Sequence, residues 1–121
     1  MQKVSAKQEE DLVNPATLRK ILGDSAMVRL LDFLTTNRRL DYSKTEIAKY
    51  SGIGWKTIFK LWPMLEKYNL VKLTRKVGRA KLYRLNIESP IAKTLDSLSL
   101  QIADFDNEPL IKKQIMQAAS Q

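Results

Sequence analysis

The chain has no cysteine and no histidine. That excludes disulfides, thiolate nucleophiles, an imidazole general base and the two commonest transition-metal ligands. Glycine is scarce too: Gly23, Gly52, Gly54 and Gly78 stand too far apart for a phosphate-cradling loop. No apolar run approaches the roughly 18 residues that span a bilayer, and the polar start MQKVSAKQEED is unlike a signal peptide. The cytoplasm is therefore the expected compartment. Carboxylates remain as potential catalysts or Mg²⁺ ligands, but no pair of them stands in a recognisable frame. The composition reads as that of a non-enzyme, with no catalytic residue, no metal site and no cofactor.

Acids are missing where bases are densest. Residues 67–87 hold Lys67, Lys72, Arg75, Lys76, Arg79, Lys81 and Arg84 with no Asp or Glu, whereas residues 88–121 carry three bases against five acids. The net charge of +8 is thus concentrated in one segment, the footprint expected of a polyanion binder. A length of 121 residues allows one domain with its own core and a few flanking helices.

Along the chain, residues 1–13 lack apolar periodicity and are expected to form a mobile arm. Asn14-Pro15 is a cap-plus-proline start for a short helix with Leu18, Ile21 and Leu22 on its apolar face, ended by Gly23. Asp24 or Ser25 caps a helix over about 25–36, with Met27, Leu30, Leu31 and Leu34 at helical spacing. Leu40-Asp41-Tyr42 is expected to be a stub of strand. Ser43 and Glu46 form a capping-box pair opening a two-turn helix that Gly52 closes. The turn Ser51–Gly54 leads into a helix over about Trp55–Tyr68, which Pro63 should bend and Asn69 should end. Strands are expected over about 70–76 and 80–86, turning at Gly78. Ser89-Pro90 starts a helix to about Ala103 with the stripe Ile91, Leu95, Leu98 and Ile102, and Leu110, Ile111, Ile115 and Met116 suit one more short helix after Pro109.

The expected fold is mainly α with a small β-hairpin: a winged helix-turn-helix over residues 14–88, flanked by N- and C-terminal helices, the latter over 89–121. In the longer helix, Ile58, Leu61, Trp62 and Leu65 must face the core, which leaves Lys56, Lys60 and Lys67 opposite, with Thr57 on a flank. Lysines so placed on the second helix of the pair suit an element lying in a major groove. Trp55 and Phe59 sit at the edge of the buried face and are expected to complete the core or pack under the wing, Trp55 being the more exposed. Arg75, Lys76, Arg79 and Lys81 cluster around the hairpin tip, where a cation can enter a minor groove.

The segments ILGDSAMVRLLDFL, DYSKTEIAKYSGIGWKTIFKLWPMLEKYNLVKLTR and VGRAKLYRLN together resemble the archaeal winged-helix transcriptional regulators of the ArsR/MarR-like type. The resemblance runs from Leu22 to Asn86, a little over half of the chain. It implies duplex DNA as partner, Trp55, Lys56, Thr57 and Lys60 at recognition-helix positions, and Arg75 to Lys81 as the wing. It further implies that Ser43 and Lys44, at the start of the preceding helix, sit on a phosphate. Pro63 departs from the pattern and shortens the reach of the helix. The metal-sensing branch of that family uses Cys and His, so metal sensing is not implied. Regulators of this type commonly dimerise through terminal helices, which together with the C-terminal stripe leads to an expected homodimer on the nucleoid. Two other readings fit the same residues: a sequence-independent architectural or DNA-segregation protein, and a winged-helix adaptor between proteins.

Overall fold

The computed structural model of the chain describes residues 17–119, and of residues 109–114 the backbone alone. The arm 1–13 and the Asn14-Pro15 start lie outside the described residues. The elements run α1 (Leu18–Leu22), α2 (Ala26–Thr36), α3 (Lys44–Ser51), α4 (Trp55–Lys67), β1 (Val71–Val77), β2 (Ala80–Leu85) and α5 (Pro90–Ala119). This is a winged helix-turn-helix, mainly α with one antiparallel hairpin.

Local chemistry sets most boundaries. Ser25 starts α2 by accepting the Val28 N–H, and Ser43 starts α3 in a complete capping box with Glu46. Gly52 takes φ +71° at the end of α3, and the Ile53 N–H returns to the Ala48 carbonyl, a reversal that a side chain would strain. α4 passes through Pro63 as one helix and ends with Asn69 at φ +55°. In the hairpin Val77 pairs with Ala80, and Gly78 alone of the two turn residues has positive φ, the glycine-first arrangement of tight hairpins. The register shifts between Leu73 and Arg75, so Thr74 forms a bulge in β1. The expected strand stub is a bridge: Tyr42 and Tyr83 exchange two backbone hydrogen bonds of 2.8 Å.

One core joins these elements. Leu18, Leu30, Ile47, Ile58, Leu65 and Leu85 are all fully buried and come from α1, α2, α3, α4 and β2; each such side chain stabilises the fold by about 1.5–3 kcal/mol. α1 is anchored by a residue the sequence does not advertise as a cap. The buried Asp32 of α2 accepts hydrogen bonds from the Thr17, Leu18 and Arg19 backbone N–H groups and pairs with the Arg19 guanidinium at 3.1 Å.

Three expectations are corrected. Only Leu18 of the first helix's apolar face is buried; Ile21 and Leu22 are 64% and 50% exposed, because five residues make too short a helix to turn all three onto α2. The C-terminal region is one 30-residue helix, not two. Proline has no N–H, so Pro109 forfeits one intrahelical bond, but no glycine between Ala103 and Pro109 supplies a stop. The inward stripe of α5 is also shifted: Ala92, Ser99 and Ile102 are buried, Leu95 and Leu98 are half-buried, and Ile91 faces outward.

Candidate nucleic-acid interface

The outer face of α4 follows from its inner one. Ile58, Trp62 and Leu65 are buried, which turns Lys56, Lys60 and Met64 outward and leaves Thr57 half-buried. Trp55 and Phe59 do not complete the core. They are 47% and 51% exposed and meet edge to face, ring centroids 4.4 Å apart, so the tryptophan is not the more exposed of the two. Core positions on this helix were already filled from its other side, and the two rings shield each other instead. The face thus offers two lysines beside an exposed aromatic pair.

At the wing tip, Lys76 and Lys81 are direct cross-strand partners and Arg79 lies in the turn, all exposed. Like charges placed opposite one another weaken a hairpin. Among the described residues, Lys56, Lys60, Lys76, Arg79 and Lys81 make no ion pair.

Three of the sequence-derived candidates are engaged within the molecule. Arg75 is strapped to Asp41 by two bonds, Nε to Oδ2 at 3.0 Å and Nη2 to Oδ1 at 3.3 Å, and the Thr74 hydroxyl donates to the same carboxylate at 2.6 Å. The bonds from Arg75 and then Thr74 hold the Asp41 carboxyl below its ordinary value, and Asp41 in turn raises the Arg75 guanidinium above its own. The Lys44 ammonium lies over three rings, 5.0 Å from Trp62, 5.6 Å from Tyr83 and 5.8 Å from Phe59. Ser43 accepts the Glu46 N–H, and the Glu46 carboxylate accepts the Ser43 N–H. The start of α3 is thereby satisfied internally, with an acid where a phosphate would otherwise sit. Asp41 and the ring cage were beyond sequence reasoning, since Asp41 reaches Arg75 across 34 positions; the adjoining acid in an otherwise basic stretch was the only trace.

Two tyrosines behind the interface are shifted as well. Burial raises the Tyr83 hydroxyl, as does the nearby Glu66, and burial followed by Tyr50 raises that of Tyr42. Among the described residues no three His, Cys, Asp or Glu gather into a metal-holding cluster, and no helix is long and apolar enough to cross a membrane.

No family model and no curated protein matches the sequence. Solved structures do match the fold. The chain is similar to the AntR antimony-specific transcriptional repressor (18% identity, 89% of this chain and 90% of that one, TM-score 0.51). It is similar to the homodimeric winged helix-turn-helix DNA-binding domain of Mb0332 from Mycobacterium bovis, a possible ArsR-family regulator (20%, 89% and 95%, TM-score 0.53). It is also similar to a MepR mutant from S. aureus bound to an oligodeoxyribonucleotide (19%, 93% and 83%, TM-score 0.55). At these identities the likeness is one of fold: a winged helix-turn-helix along most of each chain. The two sources named are not archaeal, so the archaeal part of the expected resemblance gains no support.

Proposed function

We infer that the protein is a homodimeric transcriptional regulator that binds duplex DNA sequence-specifically, with the outer face of α4 in the major groove and the wing tip against the backbone or minor groove. The observation that carries this reading is the set of five exposed cations, Lys56, Lys60, Lys76, Arg79 and Lys81, none ion-paired among the described residues. Cations left without acidic partners on two adjoining elements suit a ligand that brings its own negative charge. Lys56, Thr57 and Trp55 stand at the start of α4, where base edges come within reach of this motif. Arg75 joins the wing contacts only when it leaves Asp41, and Ser43 and Lys44 shape the α3–α4 pair from inside. Fold-level support comes from the neighbours, one bound to an oligodeoxyribonucleotide and one a homodimeric DNA-binding domain. The nucleoid is the corresponding place of action.

The dimer reading rests on α5. At 1.5 Å per residue its 30 residues extend roughly 45 Å, longer than the core it covers, and Phe105 and Met116 beyond that core are 75% and 72% exposed. α1 lies alongside, tied by the Lys20–Asp106 ion pair, with Ile21 and Leu22 exposed. A second copy would cover these side chains and set two α4 helices at a two-fold spacing.

Selection from a randomised duplex library tests the reading. The expected product is an enriched inverted repeat with half-sites about 10 base pairs apart, one helical turn. Binding without enrichment identifies an architectural protein, and failure to retain duplex at all identifies a protein–protein adaptor.

A further inference from the structure

α4 carries a narrow choice of side chains for reading bases. Its sequence, WKTIFKLWPMLEK, contains no Asn, Gln, Arg or Asp. Its single carboxylate, Glu66, accepts the Trp62 indole N–H at 2.7 Å. The amide that reads adenine and a free acid to read cytosine are therefore missing from the helix, while lysine remains for guanine. What the helix has in surplus is aromatic surface. Trp55 and Phe59 are 47% and 51% exposed, on the first turns, where base edges come within reach of this motif.

Two sets of contacts place that surface among the cations. Along the helix, Phe59 follows Lys56 by three residues and Trp55 by four, the spacings that bring side chains together, and the Trp55 and Phe59 ring centroids are 4.4 Å apart. Across the fold, the Lys44 ammonium lies 5.8 Å from the Phe59 ring and 5.6 Å from that of Tyr83 on β2. Lys81 stands two residues from Tyr83 in the same strand and so shares its side of the hairpin, with Lys76 as its cross-strand partner. Phe59 thus stands between the lysines of α4 and the side of the hairpin that bears Lys76 and Lys81. A duplex held by both sets lies across the rings. A helix about 10–12 Å across enters the major groove, about 12 Å wide, and not the minor groove, about 6 Å wide. The apolar group on offer there is the C5-methyl of thymine; the other bases present only donors and acceptors.

We propose that Trp55 and Phe59 make binding specific for thymine, the Phe59 ring covering a C5-methyl group in each half-site with the Trp55 ring set edge to face against it. Thymine recognition presupposes the duplex binding inferred above and names a base that each half-site must contain. One methyl removed from water by the rings strengthens binding about fourfold, and the two half-sites of a dimer together about fifteenfold.

The duplex enriched from a randomised library, made once with thymine and once with deoxyuridine in its place, tests the assignment. Deoxyuridine keeps the Watson–Crick pairing of thymine and lacks the methyl. Fluorescence anisotropy should show affinity about fifteenfold lower for the deoxyuridine duplex. Phe59→Ala, at an exposed position, should bind both duplexes alike, at about the affinity of the parent for deoxyuridine, and keep the parent's salt slope because its phosphate contacts are intact. Enriched half-sites without thymine, equal affinity of the parent for the two duplexes, or a Phe59→Ala protein that keeps the parent's preference overturns the proposal while duplex binding stands. Retention of duplex without any enrichment overturns it too. Failure to retain duplex at all removes the duplex reading, and thymine recognition with it.

Discussion

Asp41→Asn removes the negative charge that grips Arg75 while keeping a side chain of the same size. In the wild-type chain the carboxylate takes two bonds from the guanidinium and one from Thr74, so a phosphate approaching Arg75 must displace or share them. A phosphate oxygen bound to Arg75 beside the strap sits roughly 6 Å from the Asp41 carboxylate; unit repulsion there, in a medium between protein surface and water, lowers affinity about fivefold. Removing it should raise duplex affinity by about that factor per protomer and, through one further phosphate contact on each, steepen the slope of log K against log salt by about 0.9 per protomer. Fluorescence anisotropy of a labelled duplex across a salt series measures both. The pair is solvent-exposed on the Arg75 side, so urea unfolding should change little. A folded Asp41→Asn protein with unchanged or weaker duplex affinity refutes the idea that Asp41 competes with DNA for Arg75.

Further consequences follow from the same contacts. Asp32→Ala removes the acceptor for three backbone N–H groups at the start of α1 and leaves the buried Leu18 N–H unpaired; urea unfolding should show a loss of about 2–4 kcal/mol, and a loss below about 0.5 kcal/mol contradicts the capping role. Because bonds from Arg75 and Thr74 hold the Asp41 carboxyl below its ordinary 3.8, the strap contributes fully above that value and is lost only as pH falls through the lower folded one. An NMR titration of Asp41 should therefore show its midpoint under 3.8, and a midpoint at or above it means that the strap is not formed in solution. Phe105→Glu places a charge on the exposed apolar part of α5; sedimentation velocity should show the dimer replaced by monomer, and an undisturbed dimer moves the interface elsewhere.

What the sequence disclosed and what it withheld divide along physical lines. The Ser43–Glu46 box, the reversal at Gly52, the left-handed Asn69 and the Gly78 turn are contacts among neighbours, and each appears where its residues suggest. The lysines of α4 were legible because burying Ile58, Trp62 and Leu65 dictates the opposite face. Distant contacts left no such mark. Asp32 caps a helix from 14 positions away, Asp41 reaches the wing from a segment before α3, and Lys44 finds its rings on two later elements. Pro109 looked like a break because proline often is one; a helix with no competing stop accommodates it. Trp55 and Phe59 were ambiguous in sequence because positions at the edge of a buried face are settled by tertiary packing; here the two rings meet each other.

The central claim, that α4 and the wing tip together hold duplex DNA, is tested most directly by the salt dependence of binding for the parent chain beside Lys56→Ala/Lys60→Ala and Lys76→Ala/Arg79→Ala. Five phosphate contacts on each protomer, ten for the dimer, give a slope of log K against log salt of about −9, and each double variant should flatten it by about 4. No binding at about 50 mM salt, or variants with the parent's slope, contradicts the claim.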